Sequence, residues 1–178
     1  MRNIALFGGS FDPPHLGHEA IVKAVSKLDY IDKIIVMPTF LNPFKKSSVA
    51  PAKLRLKWLY EIFSSLHKVE ISSYEVEQNR KVPTIESVEY FLKKYDKIYL
   101  VIGADNVNSL HLWHQYEKLK ELVTFIVASR DSIKVPNNFI KLDIDVDVSS
   151  SLLREEINSN MLSNINAKKI EKYYKGKK

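Results

Sequence analysis

The chain has 178 residues, 45% of them hydrophobic and 27% charged, which is a globular composition with enough apolar material for one core and none of the bias of a disordered chain. Its longest apolar stretches, residues 99–104 and 123–128, are far shorter than the ~18 residues of a membrane span, and the start shows no secretory leader pattern, so a cytoplasmic address is expected. The lack of cysteine excludes disulfides, thiolate metal sites and thiol chemistry, and the net charge of +6 is concentrated at residues 168–178, which carry six lysines and one glutamate.

In chain order, residues 4–7 read as a strand, and Ala20, Ile21, Ala24, Val25 and Leu28 as the apolar stripe of a helix. Residues 33–37 form a second strand pattern. The polar stretch 39–50 after it is long enough to be a mobile functional loop. Leu54, Trp58, Leu59, Ile62, Phe63 and Leu66 make a second helical stripe opened by Pro51, followed by a strand at 69–71. A third stripe, Ile85, Val88, Leu92 and Tyr95, takes Thr84 as its candidate N-cap. Strands at 97–102 and 123–128 and a weaker one near 144–148 complete the pattern. The basic terminus at 168–178 reads as a solvated helix end, and deletion of Lys172 to Lys178 should change catalysis little. Continuous apolar strands alternating with helices predict an α/β chain, one domain over residues 1–178, with a doubly wound parallel sheet and helices on both faces. A ligand site is then expected at the carboxyl ends of the strands.

The first strand-to-helix connection reads Gly8-Gly9-Ser10-Phe11-Asp12-Pro13-Pro14-His15-Leu16-Gly17-His18. Glycines let backbone approach a ligand, and the start of the next helix offers free N–H groups to a phosphate. His15 and His18, three apart, can line one approach to that phosphate and donate hydrogen bonds to it. The string fits neither G-x-x-x-x-G-K-[ST] nor G-x-G-x-x-G. A tight turn, a capped helix start or half of a zinc site would also use these residues. Zinc is disfavoured because His67, His111 and His114 have no ligand spacing with the pair, and no metal ligands are assigned.

This string resembles the signature of the nucleotidyltransferase superfamily, a [T/H]-x-G-H tetrad behind G-[TS]-F-D-P, and His15-Leu16-Gly17-His18 matches the tetrad in full. The resemblance implies a Rossmann-like fold and adenylyl or cytidylyl transfer, with Gly8, Gly9, Ser10, Phe11, His15 and His18 around ATP.

Further along, Asp147-Val148-Ser149-Ser150-Ser151-Leu152-Leu153-Arg154 is a serine-rich turn leading into a helical pattern. It could form a second anion site with Arg154 one turn inside, or be plain N-capping. It resembles the [IV]-S-[SA]-[ST]-x-[IL]-R motif of nicotinate mononucleotide adenylyltransferases, whose phosphopantetheine relatives commonly carry lysine last. That implies Ser149, Ser151 and Arg154 as a triphosphate clamp. Gly103 and Asp105, ten and eight residues before Trp113, could be a close approach and a contact to ribose hydroxyls or a magnesium-nucleotide, or a helix cap and a core tryptophan. They look like the family's I-G-x-D and the tryptophan that stacks on the pyridine ring. Val82-Pro83-Thr84 fits the family's P-[ST]-x-T region in part, which implies Thr84 beside the nicotinate carboxylate. Where the family has P-P-H-[KR], this chain reads Asn42-Pro43-Phe44-Lys45-Lys46, so no role of that imidazole carries over. Lys45 is the expected phosphate contact, with Lys46 its rival. Arg130 matches a recurrent family arginine without the usual proline and glycine after it.

The resemblance as a whole implies adenylyl transfer from ATP to nicotinate mononucleotide, with Mg2+ brought by ATP and with neither nucleic acid nor membrane as partner. The catalytic residues would be His15, His18 and Arg154. An adenylyltransferase for phosphopantetheine or another mononucleotide is the near rival. A noncatalytic nucleotide or nucleic-acid binder using the basic terminus is the rival from a different class.

Overall fold

The computed structural model describes residues 2–129 and 134–177. Six parallel strands form one sheet in the order β3-β2-β1-β4-β5-β6, with β1 at Asn3–Gly9, β2 at Lys33–Pro38, β3 at Val69–Ile71, β4 at Lys97–Gly103, β5 at Val123–Ser129 and β6 at Ile140–Asp143. The helices are α1 (Leu16–Ser26), α2 (Ala52–Phe63), α3 (Tyr74–Glu77), α4 (Thr84–Leu92), α5 (Tyr116–Leu122), α6 (Ser150–Glu155) and α7 (Ala167–Lys175), with a 3-10 segment at Ala104–Leu112.

The continuous apolar runs are explained by burial on both faces, because successive strand residues point to opposite sides. In β1, Ala5 and Phe7 join Val22, Val25, Ile34, Val36, Leu59 and Phe63 on one face. Ile4 and Leu6 join Ile35, Ile85, Val88, Ile98, Leu100 and Leu119 on the other. The β3-β2-β1-β4 order reverses the winding direction at β1, so the crevice for a ligand opens at the carboxyl ends of β1 and β4.

Three local expectations are corrected. The last strand lies at Ile140–Asp143, not 144–148: Phe139 packs a tilted ring against Phe125, centroids 4.6 Å apart, just before the chain joins β5. An edge strand with one covered face gives periodicity little to register. Thr84 is the first helical residue of α4, with Pro83 as its N-cap and no side-chain cap bond. The largest correction concerns the basic terminus. Helix α7 buries Ile170 and Tyr174 in a small third core with Ala50, Trp58, Leu153 and Leu162, while its lysines face water. Asn166 and Lys169 anchor its start on Glu61 of α2 at 3.1 and 3.0 Å. The terminus is therefore not merely a solvated helix end, and deletion of Lys172 to Lys178 would take Tyr174 out of this core. Among the described residues no helix is long and apolar enough to cross a membrane.

Candidate active site

β1 ends at Gly9, and the chain reaches α1 through residues 10–15. Neither glycine of the pair takes a positive φ; Phe11 does, at 48°, with its ring 1% exposed and set edge-on to Phe7 and His18. A left-handed non-glycine residue costs on the order of 1–3 kcal/mol and persists only where packing over-determines it. The buried ring supplies that packing. The peptide between Asp12 and Pro13 is cis.

The two histidines cap the helix they begin. Nδ1 of His15 accepts the N–H of Gly17, and Nδ1 of His18 accepts the N–H of His15, each at 3.1 Å. An accepting Nδ1 places the proton of a neutral ring on Nε2. A Cβ at position 17 would lie 2.9 Å from the His15 ring and 3.1 Å from Val148, so glycine is what lets that ring fold back over the helix start. Burial, with His15 beside it, holds His18 well below the usual imidazole range. The ring is a neutral donor.

Residues 10–13 are tied to three other parts of the chain. The buried Asp12 carboxylate accepts the N–H groups of Val49 at 2.8 Å and Ala50 at 2.9 Å, and the hydroxyl of Tyr174. The Asp12 carbonyl accepts Nη1 of Arg154 at 2.6 Å, and Ser150 Oγ donates to the carbonyl of Pro13 at 2.8 Å. Arg55, fully buried, donates to the carbonyls of Ser10 at 2.5 Å, Phe40 at 2.9 Å and Ala50 at 2.9 Å. Its guanidinium is pushed below its ordinary range by burial, against which Asp12 acts. The 39–50 loop is thus pinned at both ends.

Inside this frame Lys45 reaches to 3.5 Å from Ser10 Oγ, half-buried, whereas Lys46 and Phe44 are exposed. Burial and then the charge of Arg154 lower the Lys45 pKa. Two cations that repel each other at one strand end, beside helix-start histidines, form a site that an anion would relieve. Of the serines, Ser149 caps α6 by accepting the N–H of Leu152 at 3.2 Å, and Ser151 accepts Nη2 of Arg154 at 3.2 Å. The capping alternative is therefore realised at Ser149, and Arg154 carries the charge of this motif.

The structure gathers Gly8, Gly9, Ser10, Phe11, His15, His18, Lys45 and Arg154 into this cluster. Gly103, Asp105, Thr84 and Trp113 are carried by β4, the 3-10 segment after it and α4, whose apolar residues pack on the other face of the sheet. A Cβ at Gly103 would sit 2.5 Å from Asp105 Oδ1, so a larger residue there would push the exposed Asp105 carboxylate aside. Asp105 is exposed and caps nothing with its side chain. Trp113 packs in part on the core and is in part open. Arg130 lies outside the described residues. Arg55, Tyr174 and the Asp12 carboxylate were not singled out in the sequence. Only Asp12 had a signal, its place in the motif. Among the described residues no group of three His, Asp or Glu is arranged to hold a metal ion.

Residues 6–156 match the family model described as cytidylyltransferase-like. A protein of Sulfurimonas denitrificans named a probable nicotinate-nucleotide adenylyltransferase is 58% identical over 175 residues, 98% of this chain and 96% of that protein. One of the same name from Campylobacter jejuni is 49% identical over 174 residues, 96% of each chain. Among solved structures, the Plasmodium falciparum nicotinic acid mononucleotide adenylyltransferase complexed with NaAD superposes with a TM-score of 0.79 at 23% identity, covering 98% of both chains. At that identity the superposition speaks for the fold, which is the Rossmann-like α/β arrangement read from the sequence.

Proposed function

The chain belongs to the nicotinate-nucleotide adenylyltransferases, within the cytidylyltransferase-like family, and we infer that it joins ATP and nicotinate mononucleotide to give deamido-NAD and pyrophosphate. The observation that carries the reading is the convergence of Lys45 and Arg154 on the loop that the neutral His15–His18 pair closes.

An oxygen of the mononucleotide phosphate attacks the α-phosphorus of ATP in line; the bond from that phosphorus to the bridging oxygen breaks, and pyrophosphate leaves with its electron pair. The attacking phosphate is already ionised at neutral pH, so the protein need not remove a proton. Its residues align the two phosphates and stabilise the charge that moves between them. Nε2–H of His18 donates to the α-phosphoryl oxygens, Arg154 balances the departing pyrophosphate, and Lys45 receives the mononucleotide phosphate. The Gly8–Gly9–Ser10 backbone supplies the cradle, and Asp105 takes ribose hydroxyls. Magnesium would enter with ATP as part of the substrate and would supply charge neutralisation on the triphosphate. This suits a site whose strongest fixed charges are positive.

At α4 the first-turn N–H groups receive no bond from the N-cap side chain. They and Thr84 face the nicotinate carboxylate in this reading, with Trp113 stacked on the pyridine ring. The reaction would take place in the cytoplasm. Pyrophosphate release from ATP, measured across nicotinate mononucleotide, its amide, other mononucleotides and phosphopantetheine, tests the reading: release with the first alone or foremost is expected, and none with any of them overturns it.

A further inference from the structure

The C-terminal helix reaches the catalytic loop through two adjacent tyrosines. Tyr174, 3% exposed, donates its hydroxyl to Asp12 Oδ1 across 162 residues of sequence. Tyr173 donates to the carbonyl of Val49 at 3.3 Å and sets its ring edge-on to Trp58. Asp12 Oδ1 also accepts the N–H of Ala50, and Oδ2 that of Val49. The same residue's carbonyl holds Arg154. Asp12 is therefore the point at which the catalytic loop, the Lys45 loop, the Arg154 helix and α7 meet. Of the three groups bound to its carboxylate, Tyr174 alone is a side chain.

We propose that Tyr174 is a positioning residue for adenylyl transfer: its hydroxyl fixes the Asp12 carboxylate, and through it the 49–50 backbone and the carbonyl that orients Arg154. Burial and the bond to Asp12 hold that hydroxyl protonated throughout the working range, so it stays a donor. The carboxylate is itself buried, and among the described residues it keeps the two loop amides without Tyr174. The aromatic core under it, Trp58, Leu153, Leu162 and Ile170, would be unchanged by loss of one oxygen. Misplacement of a reacting group's support by a fraction of an ångström is felt in turnover more than in binding.

The experiment compares Tyr174→Phe with Ile170→Val. The second loosens the same helix without touching the hub. Tyr174→Phe should lower kcat about tenfold with the KM for ATP within twofold of wild type, and should speed hydrogen–deuterium exchange at the Val49 and Ala50 amides. Ile170→Val should lower the melting temperature while leaving kcat and that exchange at wild-type values. Equal loss of kcat in both variants, wild-type kcat in Tyr174→Phe, or a Tyr174→Phe chain that does not fold would each overturn the proposal. The kinetic arm rests on the adenylyl-transfer reading. The exchange arm does not, so an inactive wild type with faster exchange in Tyr174→Phe would sink only the reading.

Discussion

The rings of His15 and His18 stack with their centroids 3.7 Å apart and 24° between their planes. Each donates nothing through Nδ1, because both atoms accept a backbone N–H of the same helix start. The pair therefore presents N–H groups at Nε2, and a proton added to one ring would face the other at stacking distance. His18→Ala should lower kcat by at least ~100-fold, a loss of about 2.7 kcal/mol of transition-state stabilisation, with the fold retained by circular dichroism. Near-normal turnover in the folded variant would remove His18 from the reaction.

The two neighbouring lysines should separate cleanly. Lys45 is half-buried and directed at Ser10, and Lys46 is exposed. Lys45→Ala should reduce kcat/KM for the mononucleotide by at least ~30-fold, about 2 kcal/mol, and Lys46→Ala by less than about twofold. The reverse order would place the phosphate contact one residue further on. Phe44, at 62% exposure, should tolerate alanine with little change, because its ring has little burial to lose.

Glu75 gives a pH signature independent of catalysis. Ser87 Oγ donates to its Oε1 at 2.7 Å, and burial pushes its carboxyl up to about 7. Between the ordinary carboxyl range and pH 7 the folded chain holds a proton that the unfolded chain has released. Stability on this account falls as pH rises through that window, and the penalty is complete above it. Glu75→Gln keeps the oxygen that Ser87 needs and cannot ionise. The variant should be more stable than wild type at pH 8 by up to about 3 kcal/mol, with the gap nearly closed at pH 5, in urea unfolding. An equal gap at both values would refute the assignment. His18 acts in the opposite sense, since its depressed folded pKa costs stability only as pH falls below the free imidazole range.

Substrate choice should favour nicotinate mononucleotide over its amide by at least ~100-fold in kcat/KM, about 2.7 kcal/mol. Donors alone suit a carboxylate, whose oxygens only accept, whereas an amide would turn its NH2 toward an N–H and leave both unpaired. The uncapped first turn of α4, opening at Thr84, supplies such donors. Comparable constants for the two would show a dual pocket.

The first five strands and the catalytic loop were legible because burial on both faces and a glycine-histidine string leave local marks. The frame around the site left none. Arg55 sits in a helical stripe where an arginine reads as solvent-facing, and its three carbonyl partners come from loops that no period describes. Ile170, Tyr173 and Tyr174 had helical spacing, but six lysines in the same stretch hid it and drew attention to charge. Thr84 as a cap followed residue preference, whereas Pro83, with its fixed φ, ends the extended segment one residue earlier.

The sheet order also divides the chain for folding. β1, β2 and β3 are consecutive and adjacent, as are β4, β5 and β6, and within the sheet the two halves pair along β1 and β4. At the foot of that seam the N–H of Arg2 meets Asp96 Oδ2, 94 residues away, so closure brings together segments that are remote in the chain. Because such long-range pairing closes slowly, the β1–β4 pairing is the expected slow step of folding. Until it happens each half shows an open, apolar strand edge, of the kind that pairs with the wrong molecule. The histidine pair belongs to the first half and Arg154 to the second. Turnover therefore reports docking of the halves, and regain of activity on refolding should lag the return of helical signal.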